Sequence, residues 1–160
     1  MDALPPPAQP PAHVTISVGV LELFPPAVVT ATSEIALPHR FSLAIGSGLG
    51  QRAVASGASP TLAWQAMVAP RWYVLGRFED GLHVGWAVAY ARAVDGPVAG
   101  DLLPPPGLST GPLVGYKARF PWHLSIGFEL GLVHDVWIPR EGGDIPWVSF
   151  WGDLQVGVTL

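Results

Sequence analysis

The sequence predicts an all-β fold: an eight-stranded antiparallel up-and-down β-barrel that crosses a membrane. Two observations predict it. Residues 123–132 read HLSIGFELGL. Leu124, Ile126, Phe128, Leu130 and Leu132 fall on one face; His123, Ser125, Gly127, Glu129 and Gly131 fall on the other. A period of two is a strand, and a large-apolar face opposite a small or polar one is the pattern of a barrel with lipid outside. The second observation is composition. Hydrophobic residues make up 49% and charged residues 12% of the chain, against roughly a quarter charged in ordinary soluble domains. Lys117 is the only lysine, so the usual solubilising coat is missing.

The elements follow in order. Strand one is read over 13–23, with Val14, Ile16, Val18 and Val20 outward and Thr15, Ser17 and Gly19 inward, and Phe24-Pro25-Pro26 breaks it. Strand two, 28–37, turns Val29, Ala31, Ile35 and Leu37 outward and Thr30, Thr32 and Glu34 inward. After the tight turn Pro38-His39-Arg40, strand three, 41–50, alternates Phe41, Leu43, Ile45 and Leu49 with Ser42, Ala44, Gly46, Gly48 and Gly50. A small-residue loop, 51–60, leads to strand four, 62–78. There Trp72 and Val74 alternate with Arg71, Tyr73 and Arg77, and Pro70 demands a bulge or a poorly paired position because it cannot donate to the ladder.

Glu79-Asp80-Gly81 turns into strand five, 82–92, with Leu82, Val84, Trp86, Val88 and Tyr90 outward against His83, Gly85, Ala87, Ala89 and Ala91. The longest loop, 93–111, precedes strand six, 112–120, whose inward set is Gly115, Lys117 and Arg119. Pro121-Trp122 turns into strand seven. After a loop at 135–146, strand eight, 147–160, places Val148, Phe150, Leu154, Val156, Val158 and Leu160 outward and Asp153, Gln155, Gly157 and Thr159 inward. Short and long connections alternate after the first, with both ends on the short-turn side, where the first and last strands can pair and remove the sheet edge.

Several classes are excluded. The absence of cysteine removes disulfides and thiolate chemistry. A net charge of -4 without a basic stripe argues against nucleic acid. Mean hydropathy is +0.38, yet no apolar run approaches the roughly 18 residues of a spanning helix. A closed barrel is then the economical way to pair every backbone group in a bilayer. Residues 1–12, MDALPPPAQPPA, lack the basic start and apolar core of a signal peptide, so a mature form with an added methionine is expected, with this segment an extended Pro-rich tail and 13–160 the barrel.

Over residues 13–160 the chain resembles the small eight-stranded bacterial outer-membrane barrels, the class of outer-membrane proteins A and X. The likeness is one of pattern, and the chain departs from it by ending on Leu160 where such barrels commonly end on an aromatic. The resemblance implies a monomer in the bacterial outer membrane, with short periplasmic turns, longer outer loops free to meet surface partners, and the bilayer or a detergent as its surroundings.

The inward charges make the best candidate site: Glu34, Arg71, Arg77, Lys117, Arg119, Glu129 and Asp153, with His83, Gln65 and Gln155. Ions in a narrow lumen must pair, and eight strands enclose just enough room for side chains. A salt-bridged plug is preferred over an ion-selective path, although inward glycines and alanines leave space for water. His123 and Ser125 share the inward face with Glu129, the residue types of a hydrolytic triad. Lipid A deacylases, themselves eight-stranded barrels, carry a similar His-x-Ser. Glu129 is six residues from His123, about 20 Å along a strand, so two ordinary lumen residues are the preferred reading and no enzyme is expected. His134-Asp135 and Asp144 are read as solvated rim residues; neither a metal nor a cofactor is expected. Trp64, Trp72, Trp86, Tyr90, Trp122, Trp137, Trp147 and Trp151, with Phe41 and Phe120, are assigned to interfacial aromatic girdles. The expected role is structural or that of a minor passive pore; the alternatives are a lipid-modifying hydrolase and a soluble lipocalin-like barrel.

Overall fold

The computed structural model describes residues 13–21, 28–52, 61–95, 107–137 and 148–160. The expected Pro-rich tail, Asp144 and Trp147 lie outside them. Eight strands follow one another: β1 (Val14–Leu21), β2 (Val28–Ala36), β3 (Phe41–Arg52), β4 (Thr61–Arg77), β5 (Asp80–Asp95), β6 (Gly107–Arg119), β7 (Leu124–Trp137) and β8 (Val148–Thr159). Each pairs antiparallel with its sequence neighbours, and β1 pairs with β8 from Thr15↔Thr159 to Leu21↔Asp153, which closes the barrel.

The facing is inside-out relative to a soluble barrel. Leu124, Phe128 and Val156 are exposed on the outer wall, while Glu129 is buried in the interior. A lipocalin-like barrel requires the reverse, so that alternative is overturned. Glycine and small polar residues fill the inner face because eight strands leave little room. Large inward side chains sit over glycines on adjacent strands. Trp151 covers Gly131, Asp153 covers Gly19, and Glu129 and His83 meet over Gly115. These glycines are therefore sockets for their neighbours rather than open space for water.

Two short turns share one construction. Pro38-His39-Arg40 and Pro121-Trp122-His123 each carry two successive non-glycine residues at positive φ: 61° and 66° in the first, 62° and 65° in the second. Paired left-handed residues match the twist of a hairpin, which is why Asn-Gly is usual there. Here the geometry is held by flanking ladder bonds, Leu37 N–H to Phe41 O at 2.8 Å and Phe120 N–H to Leu124 O at 2.7 Å.

The boundaries differ from expectation at the long-loop end. β5 runs on to Asp95, β6 starts at Gly107 rather than 112, and β7 runs on to Trp137, so the predicted loops 93–111 and 135–146 are partly strand. His134 is exposed on β7 rather than in a loop; the side chains of Asp135 and Trp137 are not among those described. At the other end, a register shift between Tyr73 and Leu75 inserts Val74 as an extra residue. The bulge reverses the alternation beyond it, so Arg77 points outward and is exposed. Arg77 is therefore not a lumen residue, contrary to expectation.

Candidate functional site

The interior divides along the barrel axis. Its short-turn half holds a connected polar network to which all eight strands contribute. Glu34 on β2 is the hub. Its Oε2 accepts from Lys117 Nζ at 2.7 Å and lies 3.1 Å from Arg71 Nη1, while its Oε1 accepts from Ser42 Oγ at 2.6 Å and Tyr73 OH at 2.9 Å. Arg71 on β4 also reaches Glu129 on β7, with Nη2 2.8 Å from both carboxylate oxygens. Glu129 in turn meets His83 Nε2 of β5 at 2.7 Å. Lys117 continues the chain on the other side, donating to Thr15 of β1 at 3.2 Å, and Thr15 meets Thr159 of β8 at 2.9 Å.

The ions are desolvated and each needs several partners to offset that cost. Lys117 Nζ also lies 3.9 Å from the ring centroid of Phe78, a cation–π contact that shields it from the short-turn mouth. Tyr73 packs edge-on to Phe78, with centroids 6.0 Å apart. Ser42, Tyr73, Thr15, Thr159 and Phe78 were not singled out from the sequence. The first four could have been, because they are polar residues on the inward parity near short turns. Phe78 could not, since it lies in the turn and folds inward from there.

The other predicted site residues scatter. Arg119 lies at the short-turn rim, half-buried, and pairs with Glu79 and, at 3.0 Å, with His123 Nδ1. It does not join the central network. Asp153 is wholly buried but makes no ion pair among the described residues: Gln155 Nε2 donates to its Oδ2, and its Oδ1 has no partner. His123 belongs to the exposed second turn, not to the inward face of β7, because the left-handed pair ends the strand alternation there. Ser125 is buried, and Glu129 is committed to Arg71 and His83. His123, Ser125 and Glu129 thus form no triad. No group of three or more His, Asp or Glu among the described residues could hold a metal ion.

Toward the long loops the interior holds an apolar cluster beside the buried Thr30, Thr32 and Asp153. Val28, Ala44, Met67, Ala69, Ala87, Leu113 and Trp151 form one buried cluster, with Ala89 and Val133 packed against it. Trp151 is thereby removed from the predicted girdle: it shares the inward parity of Asp153 and Gln155. Phe41 and Trp72 stack outside near the short turns, at 6.4 Å, and Trp64 packs edge-on to Tyr90 near the long loops, at 6.0 Å. Trp122 is fully exposed in its turn, whereas Trp86 lies near the middle of β5 rather than at an end.

Neither a protein-family model nor a curated protein matches the chain. The crystal structure of Neisserial surface protein A is similar to it, at a TM-score of 0.58 and 11% sequence identity, covering 92% of this chain and 95% of that one. Sequence identity this low speaks to architecture alone, and the architecture is that of the small eight-stranded outer-membrane barrels.

Proposed function

We propose that this protein is a monomeric, non-enzymatic barrel of a bacterial outer membrane, with a structural role and an interior closed by its ionic plug. The observation that carries this reading is the radial distribution of charge. Arg71, Glu129 and Asp153 are 2%, 2% and 0% exposed, whereas Ile45, Leu49 and Val156 are 52%, 54% and 50% exposed. Exposing such a belt to water would be costly, and hydrocarbon removes that cost. Outward polar atoms inside the belt are also neutralised: Trp64 Nε1 donates to Ser47 Oγ at 2.9 Å, and Trp86 Nε1 to Thr110 Oγ1 at 2.6 Å.

A plug drawn from every strand supports closure over the passive-pore alternative. Among the described residues His123, Ser125 and Glu129 do not assemble into an acid, base and nucleophile, which gives the catalytic alternative no support. The test has two parts. The purified chain should need micelles or vesicles to stay monodisperse, and a detergent-free monomer would refute the membrane reading. Reconstituted in planar bilayers it should be silent, and steady unitary conductance would replace closure with the pore.

A further inference from the structure

Two backbone irregularities at the short-turn end each place an arginine on the outer rim. Arg40 closes the first turn at a φ of 66°, a left-handed conformation that glycine takes without strain. Its side chain is exposed, so packing within the barrel does not account for an arginine there. Backbone outliers of this kind gather where a side chain is needed for a ligand. Arg77 owes its place to the bulge at Val74. Unbroken alternation from buried Tyr73 carries residue 77 inward; the extra residue turns it outward instead. Re-aiming a side chain is a recurrent use of bulges. The two arginines belong to adjoining elements, because the turn 38–40 packs against β4, and Phe41, next to Arg40, pairs with Trp72.

Phe41 and Trp72 stack on the outer wall, and aromatic side chains so placed mark the level where hydrocarbon meets headgroups. Arg40 and Arg77 follow them in the direction of the turns, on the headgroup side of that level. Neither arginine side chain has a hydrogen bond or ion pair among the described residues. The side-chain carboxylates of this rim are engaged elsewhere: Glu79 pairs with Arg119, and Asp80 accepts from Tyr116 OH at 2.8 Å. The rim therefore presents two uncompensated guanidiniums beside an aromatic stack.

We infer that Arg40 and Arg77 hold the phosphate of an anionic phospholipid in the leaflet on the short-turn side, with its acyl chains against Phe41, Trp72 and the exposed Leu75. A guanidinium matches a phosphate with parallel N–H donors. A zwitterionic lipid brings an ammonium too, which meets two cations here and no uncommitted side-chain carboxylate. A headgroup without an ammonium, such as phosphoglycerol, is the better fit. Each arginine near an anionic lipid surface strengthens binding about five-fold. This inference rests on the membrane reading above.

The test is NMR of the whole chain in phosphatidylcholine nanodiscs as phosphatidylglycerol replaces a rising fraction of the lipid. The indole N–H of Trp72 is the reporter, and a saturable shift is expected. Arg40→Gln and Arg77→Gln should each raise the half-saturating fraction about five-fold. Arg92→Gln, on the exposed outer wall at the long-loop end, should leave it unchanged. A shift that grows without saturating, or an equal loss in Arg92→Gln, would replace the site with diffuse net charge and overturn the inference. So would a saturable shift that survives in Arg40→Gln/Arg77→Gln. An equal shift from soluble glycerol phosphate, added to pure phosphatidylcholine nanodiscs, would overturn the lipid as the source of the phosphate. Insertion with no Trp72 response would overturn the inference and leave the membrane reading standing; failure to insert would overturn both. Unchanged signals from the buried methyls show that each variant is folded.

Discussion

The guanidinium of Arg71 on β4 lies 2.8 Å from the carboxylate of Glu129 on β7, so one cation ties together strands three apart in an eight-stranded ring. The same side chain lies 3.1 Å from Glu34 on β2. An ion at this position cannot be removed singly without cost. Arg71→Met leaves Glu34 with Lys117 as its remaining cation, beside the Ser42 and Tyr73 hydroxyls, and Glu129 with its His83 contact. Breaking a buried pair by deleting one partner costs about 3–5 kcal/mol. Urea unfolding in lipid vesicles should show a loss of that size. A loss below about 1 kcal/mol would mean that water reaches the network and screens it.

Tyr73 tests the hub from the other side. Its hydroxyl donates to Glu34 Oε1 at 2.9 Å, next to the bond from Ser42. Tyr73→Phe keeps the ring against Phe78 and His83 and removes one hydrogen bond to a carboxylate, worth about 1.5–3 kcal/mol. Ser42→Ala removes the neighbouring bond by similar logic. Because both bonds end on one oxygen, the double variant should lose measurably more or less than the sum, and strict additivity would argue that Glu34 is not the shared partner.

Glycine sockets separate inward positions that share a sequence pattern. At Gly131 an added Cβ would collide with the indole Nε1 of Trp151, whereas at Gly127 the nearest atom is 3.7 Å away, on Gln155. Gly131→Ala should therefore cost about 1–3 kcal/mol as overpacking, and Gly127→Ala should be close to neutral. Equal effects would show that Trp151 moves freely and that the apolar cluster has slack.

The alternation visible in the sequence was enough to assign the facing of nearly every described strand residue, since a period of two leaves one choice once lipid is placed outside. It failed where the period itself breaks. The bulge at Val74 sends Arg77 outward, and the left-handed pair before β7 takes His123 off the inner face. Trp151 was misplaced for a different reason: its inward parity was plain, but its size suggested a girdle. The glycine opposite that accepts its ring is on another strand, so the fit depends on register. Register also governs the plug. The charges were legible as inward, but which pair meets which is set by shear around the ring. That is why Asp153 and Arg119, equally inward by pattern, stay out of the central network.

The first turn offers a gain rather than a loss. His39 and Arg40 both sit at positive φ, at 61° and 66°, where side chains other than those of Gly, Asn and Asp are disfavoured by about 1–2 kcal/mol per residue. His39→Asn/Arg40→Gly supplies the residues such a turn favours. Neither side chain is buried, so the double substitution should raise stability by about 1–2 kcal/mol. A drop in stability would mean that these exposed side chains make contacts with lipid headgroups that outweigh the strain.

The outer wall allows the membrane assignment to be measured residue by residue. Ile45 lies near the middle of β3 and Phe120 beside a short turn, and both are exposed on the outside, 52% and 44% respectively. On the surface of a soluble barrel, arginine at either position would be nearly neutral. In a bilayer the cost depends on depth: about 2–4 kcal/mol at the midplane, falling to about 0–1 kcal/mol near the interfaces. Ile45→Arg should therefore impair folding into vesicles strongly, and Phe120→Arg only slightly, with the difference read from paired urea titrations. The contrast is the informative quantity, because any defect common to both variants cancels. Equal costs at the two positions would remove the depth gradient, and with it the argument that this belt of isoleucine, leucine, valine and aromatic side chains meets hydrocarbon.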